Sequence, residues 1–406
     1  MPTKVVKRDS RGRSRSRSNA TKKVRPIEKL TKKQEELLDI YYNKKELCDH
    51  LWIEDTIDYI SDPEGKTRLK ELESMLKSFE QNDNLALIIH FDSGGGDAGA
   101  SFFIYNFLER FTKPKIGVIE HFCASATTFP FMACELRILK PYSLFLIHQI
   151  RFPGVEGNVE TFKDRRRDIF SDQRKYESQI KFYMDHSKAP EAIVKKYFRA
   201  ELYMPYTEML KWGFAHHMFD SRKVKKIRNQ NGQEIDMIFP SFQENLKVLI
   251  RSEIIKQENI KSIKVWSTYE DRSMFTDMMT INLMLEIPCR IEYYIGGEIT
   301  NGQFLTSLIA DKSYLISPYS NIEITPQRFL KEGLQYNIDS MEYRSQRSEI
   351  LRKMIIDLLK SKTKLPKNII DDIIYKTFTF NIEEAKKYKL VDEIIKIDQG
   401  KIEKVN

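Results

Sequence analysis

Residues 85–99 read LALIIHFDSGGGDAG, an apolar run that empties into three glycines. LALIIHF predicts a buried strand, and Gly94-Gly95-Gly96 lets the backbone beyond it approach a ligand closely with its N–H groups outward. Outward from there, HFCASATTF (121–129) sets Ser125 among small residues, and PYSLFLIHQ (141–149) ends an apolar run on His148. KLTKKQEELLDIYY (29–42) predicts a helix, LWIEDTI (51–57) a strand, and Asp62-Pro63-Glu64-Gly65 a turn. Leu69, Leu72, Met75, Leu76 and Phe79 recur at helical spacing, as do the apolar residues of 102–111. KIGVIEHF (115–122) is a further buried strand, and Lys140-Pro141-Tyr142 splits ELRILKPYSLFLIHQI into two more. Helices and strands alternating at short spacing predict an α/β layered domain with largely parallel strands. A long charged helix is expected over Val159–His186, and a short one over Pro205–Phe214, stopped by Gly213.

At 406 residues the chain is long enough for two domains. Its 41% hydrophobic and 11% aromatic content exclude wholesale disorder. The net charge of +9 is local: residues 1–25 hold ten Lys/Arg against Asp9, and the remainder balances. A nucleic-acid-binding core is therefore not expected, and any such contact belongs to the basic tail. Residues 1–28, with RGRSRSRS at 11–18, lack apolar periodicity and read as a disordered tail: solvated, organelle-targeting or anion-binding. No apolar run reaches the ~18–20 residues of a membrane span. Cys48, Cys123, Cys134 and Cys289 lack metal-type spacing and are too few for a disulfide framework, so a cytoplasmic or other reducing compartment fits. No metal and no cofactor are expected.

Serine becomes a nucleophile when a base takes its proton and fixed donors receive the oxyanion. Ser125 at the start of a buried helix, His148 at a strand end and a glycine loop upstream supply those parts. Their order resembles the proteolytic subunit of the Clp protease, a member of the ClpP/crotonase superfamily. That family has a glycine loop after a strand, a Gly-x-Ala-Ala-Ser-Met-Gly nucleophile motif and a Met-Ile-His-Gln motif. Here Asp92–Gly96, Phe122–Thr127 and Leu146–Gln149 stand at those places, and Gly154, Gly157 and the charged helix match the family's handle. The resemblance spans roughly residues 45–220. It implies Ser125 as nucleophile, His148 as general base, Glu201 where the family has aspartate, and an oxyanion hole from the N–H groups of Gly95 and Ala126. Thr127 replaces a family glycine and is expected to crowd the substrate. The resemblance implies a serine endopeptidase cleaving peptides and unfolded proteins within a homo- or hetero-oligomer, with an AAA+ unfoldase as partner.

The order of elements returns after residue 247. SIKVW (262–266) stands for LIIHF, Pro288–Ile291 for Pro114–Gly117, and Pro318-Tyr319-Ser320 repeats Pro141-Tyr142-Ser143 at an offset of 177. FNIEEA (380–385) and YKLVD (388–392) match the family's closing motif. Two tandem copies of the ClpP/crotonase-like β-β-α superhelical fold are expected: 29–220 catalytic, 221–246 a linker, and 247–406 degenerate. At the same offset Ser125 becomes Gly302 and His148 becomes Thr325, so the second copy should be inactive. The competing class is an inactive structural or regulatory subunit, to which the Glu201 and Thr127 departures point. A signal-peptide-peptidase-like tandem is disfavoured because Ser125 and His148 share the first copy, and crotonase-type acyl-CoA chemistry needs no such pair.

Overall fold

The computed structural model describes residues 29–57, 68–148, 162–200, 202–224, 232–238, 260–267, 274–316, 320–324, 338–373, 375–398 and 401–405. The expected tail, the linker residues 225–231, Gly154 and Gly157 lie outside them.

In the first half, α1 (Lys32–Asn43) opens on a capping box in which Thr31 and Gln34 each satisfy the other's backbone N–H. There follow β1 (Asp49–Ile57), α2 (Arg68–Gln81), β2 (Leu87–Gly96), α3 (Ala98–Arg110), β3 (Lys115–Ala124), α4 (Thr128–Met132), β4 (Leu136–Leu139) and β5 (Leu144–Leu146). Then come α5 (Phe162–Asp185), α6 (Glu191–Ala200), α7 (Tyr206–Trp212) and β6 (His217–Met218). The parallel strands run in the order β1-β2-β3-β4-β6, and β5 pairs with the far end of β3 beyond the reach of β4. The strands read as continuous apolar runs because both faces of the sheet are covered. Successive side chains alternate: Ile89, Phe91 and Ile119 join one core with Phe131, Phe145 and Tyr183, while Ile88, Ile116 and Val118 face Leu37, Leu38 and Tyr41 of α1. Arg137 ties this end together, its buried guanidinium donating to the carbonyls of Met132, Cys134, His186, Gly213 and Phe214. Gly213 stops α7 with φ 70°, where the absence of Cβ removes the strain.

The second half comprises β7 (Gln233–Ile238), β8 (Ile260–Ser267), α8 (Met274–Met284), β9 (Arg290–Ile295), β10 (Glu298–Thr300), α9 (Asn301–Ser307), β11 (Lys312–Ile316) and β12 (Asn321–Ile324). It continues with α10 (Ile338–Lys362), α11 (Lys367–Asp372), β13 (Phe378–Phe380), α12 (Ile382–Lys387), β14 (Glu393–Asp398) and β15 (Lys401–Lys404). Its parallel strands run β7-β8-β9-β11-β14, with β15 closing the edge as an antiparallel hairpin. This is the strand order of the first sheet. The side pairings match too: β5 is parallel to the end of β3 and bridged antiparallel by Tyr203, while β12 is parallel to β10 and paired antiparallel with β13.

One expectation is corrected. The stretch 221–246, expected to be a linker, contains β7, which pairs with β8 from Gln233 to Ile238. It is an edge strand in which Glu234 and Asp236 meet Lys264 and Trp266 while Met237 is buried, so the apolar alternation is faint. Among the described residues no helix is long and apolar enough to cross a membrane.

Candidate active site

β3 delivers Ser125. Its apolar residues run into Ala124, and the chain then turns through a short 3₁₀ segment, Ser125–Thr127, into α4. Pro130 sits in the first turn of α4, where its missing N–H costs no helical hydrogen bond. Ser125 has φ 57°, a left-handed conformation unusual for a residue with a side chain. Such strain, about 1–3 kcal/mol, persists where the surroundings over-determine it. Here they do. Thr128 Oγ1 donates to the Ser125 carbonyl at 2.5 Å and lies 2.7 Å from the hydroxyl of Tyr183 on α5. Ser101 on α3 donates to the carbonyl of Ala126.

The structure brings Ser125 and His148 together. β5 lies beside the end of β3, Leu146 against Ala124, and two residues later His148 Nε2 stands 2.6 Å from Ser125 Oγ. With Nε2 unprotonated, the serine hydroxyl donates to it, which is the contact a general base needs. Both side chains are half-buried, so a substrate can reach them.

The glycine loop packs directly against this turn. Gly95 has φ 104°, and a Cβ there would lie 2.6 Å from Ser125 Cβ and 2.9 Å from Ala126 N. Gly95 and Ala126 are therefore neighbours around the nucleophile. The Gly95 N–H, however, donates to Ser93 Oγ at 3.2 Å. Thr127, expected to crowd the substrate, instead turns inward: it is fully buried and its hydroxyl donates to Ser93 Oγ at 2.9 Å. Asp92, ahead of the loop, meets His121 Nδ1 at 3.4 Å.

Glu201 lies outside the described residues. The chain just after it is held on β5: Tyr203 bridges Leu146, and Met204 N–H donates to the Phe145 carbonyl at 2.8 Å. Cys123, two residues before Ser125, is buried, and burial pushes its thiol well above the ordinary range, so it is no thiolate nucleophile. His216 accepts from the Arg137 backbone N–H at 3.1 Å, a structural role. Among the described residues no cluster of His, Cys, Asp and Glu could hold a metal ion.

Sequence reasoning missed the hydroxyl lining, Ser93, Ser101, Thr128 and Tyr183. Tyr183 carried the only signal, a tyrosine adjoining the apolar stripe of its helix. In the second half, strand register puts Asn301 directly after β10, as Ser125 follows β3. Gly302, at the offset of 177, is the second residue after β10. Thr325 lies outside the described residues.

Residues 45–222 match the Clp protease family model. Over 81 residues the chain is 36% identical to the ATP-dependent Clp protease proteolytic subunit 2 of Borreliella burgdorferi, a match spanning 19% of this chain and 40% of that relative. Among solved structures, ClpP1 from Listeria monocytogenes aligns at 18% identity over 46% of this chain and 95% of its own, with a TM-score of 0.34. An asparagine-to-aspartate variant of that protein aligns at 16% identity over 47% and 99%, with a TM-score of 0.37.

Proposed function

Taking residues 45–222 as a Clp-protease-like domain, we propose that this stretch is the working half of a serine endopeptidase. The observation that carries the reading is the 2.6 Å contact of Ser125 Oγ with His148 Nε2 at a strained nucleophile turn. Ser125 Oγ attacks the peptide carbonyl carbon while its proton passes to Nε2. The oxyanion is received by the N–H of Ala126, joined by that of Gly95 once it leaves Ser93 Oγ. Collapse returns the proton from His148 to the leaving amine and leaves an acyl-serine, which water hydrolyses by the same route. Glu201 is our candidate to orient His148. Its support is the resemblance, which sets the family's aspartate at this position, and the nearby bridge of Tyr203 to Leu146 of β5.

The second half, with the same strand order and Asn301 where the serine would stand, is in this reading a duplicated copy that has lost catalysis. Substrates would be peptides and unfolded proteins, handled in an oligomer and fed by an AAA+ unfoldase. The four cysteines, all free and buried, suit a reducing compartment. A fluorophosphonate should label the intact protein, and Ser125→Ala should abolish that label. Labelling that survives the substitution ends the assignment.

One observation favours a second reading, an inactive structural subunit: the Gly95 N–H is already taken by Ser93. Labelling that is absent in the natural protein and gained in Ser93→Ala would select it.

A further inference from the structure

On the face of the first sheet that α1 covers, polar side chains form one buried chain across four strands. His50 Nδ1 on β1 lies 2.9 Å from His90 Nε2 on β2, and His90 Nδ1 lies 2.6 Å from Glu120 Oε1 on β3. Lys140, just after β4, donates to Glu120 Oε2. The chain does not end within the first half. Lys140 Nζ also meets Glu286 Oε1 at 3.0 Å, and Glu286 receives the Tyr41 hydroxyl at 2.6 Å and Lys45 Nζ at 3.3 Å. His90, Glu120, Lys140 and Glu286 are all buried. Two ammonium groups thus face two carboxylates, and the second carboxylate comes from the turn after α8. Without Glu286, the buried Lys140 would keep Glu120 alone, and the partly exposed Lys45 would lose the carboxylate it meets.

Two further contacts extend this seam. Asn282 on α8 donates from Nδ2 to the Glu120 carbonyl at 2.7 Å and accepts the Tyr142 N–H at 3.2 Å. Higher on the same face, Ile350 and Met354 of α10 pack against the cluster of Ala124, Leu144, Leu146 and Tyr203. Ala124 immediately precedes Ser125, and Leu146 stands two residues before His148.

We propose that the second half is a built-in positioning partner: Glu286 and Asn282 dock it on the first sheet, so that Ile350 and Met354 brace β5 against β3 and hold His148 on Ser125. Ile350 and Met354 are positioning residues that touch no substrate. The proposal rests on the peptidase reading for its catalytic part and on geometry for its docking part, and the test separates the two.

In the full-length chain, the double substitution Ile350→Ala/Met354→Ala should slow fluorophosphonate labelling of Ser125 by about tenfold or more across the pH profile, since small displacements of a catalytic pair carry large rate costs. Backbone amides of Phe145 and Leu146 should exchange hydrogen faster, while a cooperative melting transition is retained. Met354→Leu, which keeps the packing volume, should restore the natural rate. A folded double variant that labels at the natural rate, or whose β5 amides exchange as slowly as before, overturns the proposal. If the natural protein takes no label, the peptidase reading fails, and β5 exchange alone decides the docking: faster supports it, unchanged overturns it. Glu286→Gln, which keeps shape and removes charge, should produce the same acceleration of β5 exchange; slow exchange there would overturn the anchoring role of Glu286.

Discussion

Gly95 shows how little room surrounds the candidate nucleophile. Besides its φ of 104°, any Cβ would approach Ser125 Cβ to 2.6 Å and the Ala124 carbonyl oxygen to 2.8 Å. Gly95→Ala must therefore move the backbone of one partner. We expect it to cost about 1–3 kcal/mol in strain and to cut the rate of fluorophosphonate labelling by roughly a hundredfold; thermal unfolding and labelling kinetics read the two effects separately. The glycines and His148 were legible in the sequence because each follows an apolar run, and Ser125 because it sits in a run of small residues, patterns written within a few neighbouring positions. The Ser93 hydroxyl was not. Its two donors, Gly95 N–H and Thr127 Oγ1, come from segments that only the parallel pairing of β2 with β3 brings together.

Among the elements, α5 contributes more than a covering face. Tyr183 reaches through the core to Thr128, whose hydroxyl holds the Ser125 carbonyl, and burial raises the Tyr183 phenol well above its ordinary range, keeping it protonated. Tyr183→Phe removes that hydroxyl at nearly constant volume. A loss of about 1 kcal/mol in stability is expected, measured by urea denaturation, together with several-fold slower labelling of Ser125. The main helices and strands of the first half were legible from periodicity, since parallel strands covered on both faces read as unbroken apolar runs. β7 was not, because an edge strand whose exposed residues make ion pairs resembles a polar loop. The glutamate–lysine seam had no local signature either: Lys140 and Glu286 belong to different halves, and each alone reads as a surface charge.

For the whole molecule, pH acts through histidines kept neutral. Burial first, then the neighbouring His90 and Lys45, push His50 down to about 3. Burial, then Arg137 and Lys188, push His216 down to about 3. In the unfolded chain these imidazoles take a proton near their ordinary value of about 6.5. Below that pH the unfolded state binds more protons, so stability declines from about 6.5 toward the folded values. The denaturation midpoint should therefore fall between pH 7 and pH 5, and His216→Gln should flatten the fall. A midpoint constant over that interval would contradict the burial of these rings.

The seam at Glu286 has a consequence for stoichiometry. The carboxylate that balances Lys140 travels on the same chain, tethered at a local concentration that dilution does not alter. Separate subunits would part as protein concentration drops, and Lys140 would lose the second of its two carboxylates with them. Here the complement is inherited with each molecule synthesised. On the peptidase reading the arrangement carries a quota: each chain brings one Ser125 whatever its second half adds to the fold, so an assembly of these chains holds one reactive serine per chain.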